Sequence, residues 1–577
     1  INIDGKTALL GDKVYYRVNI DASRLTDTAY KVWRLGMTDD YDQEYLTLDA
    51  KHVEILDETG RDRTGEFNIQ DKDGVLYTFA RTVDTMIPAT GETVPGDPQP
   101  GDLKAYSEKS DKDYDPLKDP SIDQSLLGHT YQVVMPMTVT KVKDGHTVEN
   151  TATQVTNDRR DKTNTVTNPL KEINPTKDVA VKVGGDSIDG KSVYLNHTFL
   201  YRLDSSILPP DRAYQTVTDW GGTDQLNTEY DQYLGNWAVY ASRDLYRDGQ
   251  VLAARGEKIA GSGFDSSKFG GNLFTVDADD NGKVTADATQ AYLDLVSADN
   301  EHEAGWVLYL QCKRIAVADE VPNTWTETIN GQPRESNKVV TKTPDMTPSI
   351  HLEKVDTPTL KQEGQEQADR DASKQALKMD ADSIGITFII TNTSKTDPAT
   401  GDGAWFKASD LNLDDSTIVG DAHVDMDSLT YPADWDTLVL KPGESVSVTG
   451  TLKGVKEGET HTDRAIVTGT PLVECAPSNG DPFNDKTDGG EDTDPEYSTG
   501  DVTEIDGKQL CADTQTASNT DDWNGYRAKP LASTGTAVLG LAGGALAVLL
   551  AGGSLLVFRK RHYAQGSGRH TAVNAGK

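Results

Sequence analysis

An all-β chain built of consecutive sandwiches is predicted by three observations. Apolar and polar residues alternate with period two through many short stretches, a long unit is repeated, and sustained helical character is confined to one uncharged run near the C-terminus. Period two sends successive side chains to opposite faces, so each stretch buries one face of a sheet. The pattern is clearest where Val193, Leu195, Phe199, Tyr201 and Leu203 alternate with Ser192, Asn196, Thr198 and Arg202. Trp237, Val239 and Tyr240, and then Trp306 to Leu310, read as further strands. His197 falls on the apolar side and reads as an interior or edge histidine rather than a ligand.

The duplication sets the domain order. IDGKTALLGDKVYYRV from Ile3 aligns with IDGKSVYLNHTFLYRL from Ile188, pairing Gly5 with Gly190, Tyr16 with Tyr201 and Arg17 with Arg202. Further on, Thr38-Asp39 is matched to Thr218-Asp219, Asn150-Thr151 to Asn323-Thr324, and Asn164 to Asn337. A repeat of this length is a domain duplication, not a solenoid. The second copy has a strand ahead of the aligned segment, NPTKDVAVKV from Asn174, for which the first copy shows no counterpart. The expectation is a first sandwich over residues 1–172 whose opening strand, export signal and lysine lie upstream of Ile1, then a second over 173–346.

A third sandwich is expected over 347–474, from strands such as IHLEKV, IGITFII and RAIVTGTP punctuated by Pro-Gly turns. Asp369 to Met379 reads as a short surface helix or a loop. Residues 475–530, rich in Asp, Asn, Gly, Thr and Ser, read as a solvated acidic spacer. Cys475 and Cys511 bracket most of it, and their pairing would close a loop worth about 4 kcal/mol. Cys312, on an apolar strand, reads as a buried free thiol.

Composition narrows the function. A net charge of -36 repels phosphate backbones and excludes nucleic acid as a natural partner. Three cysteines in 577 residues exclude a disulfide scaffold. Catalytic motifs are absent: there is no GxSxG elbow, P-loop or CxxC. His302-Glu303 opens a zinc-protease pattern, but Trp306 stands where the second histidine is required. Asp277, Asp279, Asn281 and Gly282 resemble half of a calcium loop, but Ala288 occupies the closing position, so a hairpin turn explains them better. Neither a metal nor a cofactor is expected, and the chain is not expected to be an enzyme.

The C-terminus supplies the location. Leu531, Ala532, Ser533, Thr534 and Gly535 precede an uncharged run from Thr536 to Phe558, followed by Arg559, Lys560 and Arg561. A helix over residues 536–558 would cross a bilayer, with the basic cluster held inside. The pentapeptide resembles the L-P-x-T-G sorting signal of Gram-positive surface proteins, in its L-A-x-T-G form, since Ala532 replaces proline. That resemblance implies that a sortase cuts between Thr534 and Gly535 and joins Thr534 to peptidoglycan, so residues 531–577 span the membrane only before sorting.

The runs NPTKDV, GKSVYL, QCKRIA, NTWTETING and SNKVVTKTP are similar to the C-terminal domains of streptococcal antigen I/II adhesins, over residues 1 to about 345. The resemblance implies immunoglobulin-like sandwiches stapled by a Lys–Asn isopeptide bond beside an acid. It carries over Lys177 as nucleophile, Asn323 as electrophile and Asp219 as proton shuttle, with Lys182 and Asn337 as the next candidates. In the first copy Asp39 and Asn150 remain without their lysine, and in the third unit Lys354, Asp410 and Asp463 stand in matching places. The function expected is that of an adhesin stalk held on the cell wall, facing host or microbial surface ligands. A spacer of a wall-anchored enzyme and a pilus subunit are the alternatives.

Overall fold

The computed structural model describes residues 2–97, 101–357, 370–476, 483 and 502–530. The sorting pentapeptide and the apolar run after it lie outside the described residues. Among those described, no helix is long and apolar enough to cross a membrane. The described residues form three successive β-sandwiches, with two short α-helices among them, Leu103–Glu108 and Gln290–Ala298.

In the first sandwich the strand Lys13–Asp21 alternates outward and inward at every residue, placing Val14, Tyr16, Val18 and Ile20 in the core. It pairs antiparallel with Thr130–Val139, and the facing sheet is built around Leu35–Asp40 between Ala152–Thr156 and Val75–Ala80. The second sandwich repeats this plan with Thr198–Asp204 against Trp306–Arg314, and Trp220–Gln225 against Trp325–Ile329. It adds an edge strand, Thr176–Ala180, beside Thr198–Asp204. The corresponding edge of Lys13–Asp21 carries no strand among the described residues.

Two local expectations change. Thr198–Asp204 does not bury one face only: Phe199 and Tyr201 enter the main core, while Leu200 packs outside against Ala238, Tyr309 and Phe483. Leu195 lies before the strand begins and is exposed. His197 is half-buried, its ring edge-on to Tyr194, and burial holds it below the ordinary histidine range. Asp279 accepts backbone bonds from Asn281 and Lys283 at 2.9 Å each, closing the hairpin of Phe274–Ala278 and Lys283–Ala288 around Gly282 at φ 81°.

The third sandwich does not end near residue 474. Its Ile350–Thr357 sheet faces a second sheet ordered Leu377–Met379, Ala517–Arg527, Thr460–Gly469, Asn412–Val419. Ala517–Arg527 therefore comes from the stretch expected to be spacer, and Trp523 within it is fully buried, donating to Asp356 at 2.6 Å. Asp356 also binds the buried Arg370 guanidinium at 3.0 Å. Between the two adjacent strands the chain makes an excursion tied at its base by the Cys475–Cys511 disulfide. Cys312 is free and buried.

Neighbouring sandwiches touch through polar contacts. Lys6 meets Asp211 at 2.5 Å between the first and second, while Ser192 and Tyr194 reach Asp397 and Asp402 at 2.8 and 3.1 Å between the second and third.

Candidate functional site: buried lysine–carboxylate clusters

Lys177 lies opposite Leu203 on the added edge strand, and this pairing turns its side chain into the core. The side chain is fully buried, the ammonium contacts the Asp224 carboxylate, and it stands 4.5 Å over the Tyr201 ring. Burial pushes the Lys177 ammonium below the ordinary lysine range, with Asp224 pulling the other way. Tyr201 is fixed in turn, donating at 2.7 Å to Asp231, which the buried Arg314 holds at 2.7 Å. Asn323 is buried at the end of Ala318–Asn323 with its amide nitrogen unpartnered, two residues before the Trp325 that pairs with Asp224.

The acid expected here was Asp219; the structure places Asp224 at the lysine instead. Asp219 is exposed, accepting from Gly331 at 3.1 Å and from Thr218 at 3.2 Å in a turn. The two aspartates lie five positions apart, and Asp219 falls before the strand Trp220–Gln225, whose pleat turns Asp224 inward. Asp224 shares the inward face with Trp220. Of the other candidates, Asn337 clamps the lysine's backbone, accepting from Lys177 N at 2.8 Å and donating to Lys177 O at 2.9 Å. Lys182 lies beyond the strand's end and is only half-buried.

The first domain holds the same arrangement without the lysine. Asp39 is fully buried and Asn150 nearly so, and the Asn150 amide donates to Asp39 at 3.2 Å. Burial pushes Asp39 up to about 6, the Asn150 hydrogen bond opposing and Asp40 adding to the rise. One oxygen of each, Asp39 Oδ1 and Asn150 Oδ1, is buried without a partner.

In the third domain Lys354 sits between two carboxylates, contacting Asp415 and lying 2.7 Å from Asp463, with all three side chains buried. Asp410 was expected as the acid, but it is exposed at the end of a 3-10 turn, and Asp415, five residues on, takes the place. Burial pushes Asp415 up to about 6, with Lys354 opposing and the Asp463 charge reinforcing. Burial would raise Asp463 as well, yet His461 at 3.2 Å and Lys354 hold it below the usual range. Asp415 and His461 were not among the residues singled out from sequence.

A buried amine against a carboxylate, in a domain that also buries a primary amide, is a set of groups that could condense. Charge on a buried pair is costly away from water, and an amine that gives up its proton there becomes a nucleophile. The acid can then donate to the amide oxygen while the amine attacks the amide carbon, with proximity supplying most of the acceleration.

Comparison with known proteins agrees with the duplication. Residues 1–170 match the family described as the cell surface antigen I/II C2 terminal domain, and residues 174–344 match the cell surface antigen C-terminus. The aggregation substance of Enterococcus faecalis is 30% identical over 324 residues, covering 55% of this chain and 21% of that protein. The chain thus spans about a fifth of the length of that relative. Among solved structures, the antigen I/II polypeptide BspA C-terminal domain of Streptococcus agalactiae matches at 18% identity and TM-score 0.43, covering 59% of this chain and 96% of that one. The C-terminal domain of the Streptococcus pyogenes antigen I/II-family protein AspA matches at 22% identity and TM-score 0.43, covering 59% and 95%. The first two sandwiches are therefore antigen I/II-like. The proteins they resemble are described as cell-surface antigens and an aggregation substance, not as enzymes.

Proposed function

We propose that this chain is the stalk of an adhesin fixed to the wall of a Gram-positive bacterium, with sandwiches stapled by intramolecular isopeptide bonds. The observation that carries the reading is the fully buried Lys177–Asp224 contact, with Asn323 buried, its amide nitrogen unpartnered, two residues before the Trp325 that pairs with Asp224 and donates to Thr176 O. Lys177 Nζ passes a proton to Asp224 and attacks the Asn323 side-chain carbon. The bond to Nζ forms, the bond to Nδ2 breaks, and ammonia leaves with protons relayed through Asp224. The reaction happens once per molecule and is maturation rather than turnover.

In the third domain the corresponding condensation joins Lys354 to Asp463 with loss of water, Asp415 serving as acid. It requires the protonated form of Asp463, which His461 and Lys354 disfavour, so a permanent ion cluster is the competing role of these residues. Attachment at Thr534 by a sortase places the stalk outside the cell, joined to peptidoglycan. The relatives' description as surface antigens and an aggregation substance supports host or microbial surface ligands as the target.

Intact mass of the denatured chain, followed by peptide mapping, tests the bonds. A deficit of one ammonia mapped to Lys177 and Asn323 is expected. A mass equal to that of the unmodified sequence removes the isopeptide reading.

A further inference from the structure

An antiparallel sandwich ordinarily turns polar side chains outward. The second sandwich departs from this on the sheet ordered Thr176–Ala180, Thr198–Asp204, Trp306–Arg314, Asp231–Ala241, Lys258–Gly261. Phe199, Tyr201, Val239 and Leu308 face the core, yet Leu200, Ala238, Tyr240, Val307 and Tyr309 on the opposite face are buried too. Cross-strand pairing sets Ala238 against Tyr309 and Tyr240 against Val307, which makes the outer patch continuous. Phe483, from the excursion of the third sandwich, sits in this patch and is 3% exposed.

We propose that this outer face is an intrachain docking surface whose occupant is the chain's own Phe483 segment, so that the third sandwich is clamped onto the second. The base of the excursion already stands there. His197 hydrogen-bonds to the Glu474 backbone, one residue before Cys475, and Phe483 follows eight residues after that cysteine. Eight residues reach at most about 28 Å, so the tethered ring is held at high effective concentration over its seat. Charge favours the same occupant. Asp481 and Asp485 flank Phe483 in sequence, while the Lys258 ammonium stands 5.7 Å from its ring. A groove of about 530 Å³ bordering Tyr240, Val307 and Tyr309 is lined by Arg202, Arg243 and Arg255. The ring supplies apolar area, and the basic rim selects a phenylalanine set in an acidic stretch. Ser192–Asp397 and Tyr194–Asp402 form a separate attachment between these sandwiches, and two attachments restrain bending where one would act as a hinge.

The full chain carrying photoreactive p-benzoylphenylalanine at position 483 tests the seat directly. Irradiation is expected to join position 483 to Tyr240, Val307 or Tyr309 within one chain, mapped by peptide mass spectrometry. Failure to label the second sandwich overturns the proposal. Cross-links between chains assign the face to a second copy and overturn the own-chain occupant. Calorimetry of the full chain gives the second readout. Phe483→Ala should lower the second sandwich's melting transition by about 5 °C or more and leave the first sandwich unchanged. Phe483→Leu, which keeps an apolar contact, should retain most of the wild-type value. Phe483 lies outside every strand, so these variants leave the three sandwiches folded. A Phe483→Ala transition within about 1 °C of wild type overturns the clamp.

Discussion

Asn323→Ala tests the value of the proposed covalent staple, because it removes the electrophile while leaving Lys177 and Asp224 paired in the core. The proposed bond from position 177 to position 323 would close a loop of about 146 residues. Loop-closure entropy for that length is about 5 kcal/mol at room temperature. For a domain of this size each kcal/mol moves the melting temperature by about 2–4 °C, so a fall of about 10–20 °C is expected in the second domain's transition. The assay is differential scanning calorimetry of the full chain, with mass spectrometry confirming the missing bond. Asn323→Asp serves as the rescue, since condensation with loss of water restores the staple. Should Asn323→Ala lose the bond yet melt within about 2 °C of wild type, the entropic argument is refuted.

Three further outcomes follow from the geometry. Asp224→Asn should leave Lys177 and Asn323 unjoined by intact mass, whereas Asp219→Asn should leave the bond formed, because only Asp224 touches the lysine. The first domain should lose stability as pH rises from about 4 to about 6. Asp39 titrates near 6 when folded against about 3.9 unfolded, so the folded state keeps its proton longer and ionisation costs up to about 3 kcal/mol; denaturant midpoints at the two ends of this range measure it. Reducing Cys475–Cys511 opens a loop of sequence separation 36 and should cost the third domain about 4 kcal/mol, read as a lower midpoint with reductant and no change in the other domains.

The duplication was legible because tertiary function preserved residue order: Gly5, Tyr16 and Arg17 recur at one constant spacing. That same spacing carries Thr38-Asp39 onto Thr223-Asp224, so the correct acid was available, and matching Thr218-Asp219 required a slip of five residues. An odd slip reverses the face in a pleated strand, which is why near agreement in sequence became complete disagreement in space. Asp410 and Asp415 repeat the lesson at the same spacing. Ala517–Arg527 was illegible for a different reason. ASNTDDWNGYR has one large apolar side chain turned inward, and the strand exists because Thr460–Gly469 pairs with it at ten positions. Its identity lies in the partner rather than in its own alternation.

The tied excursion between Thr460–Gly469 and Ala517–Arg527 has a mechanical consequence. A tether drawn taut from its C-terminal side must first engage Ala517–Arg527, and the 36 residues spanned by the disulfide cannot be paid out while it holds. Fully extended, that segment would add about 120 Å of slack. The crosslink therefore acts as a length limiter, so that the third sandwich lengthens little under a pull until the sheet itself gives way.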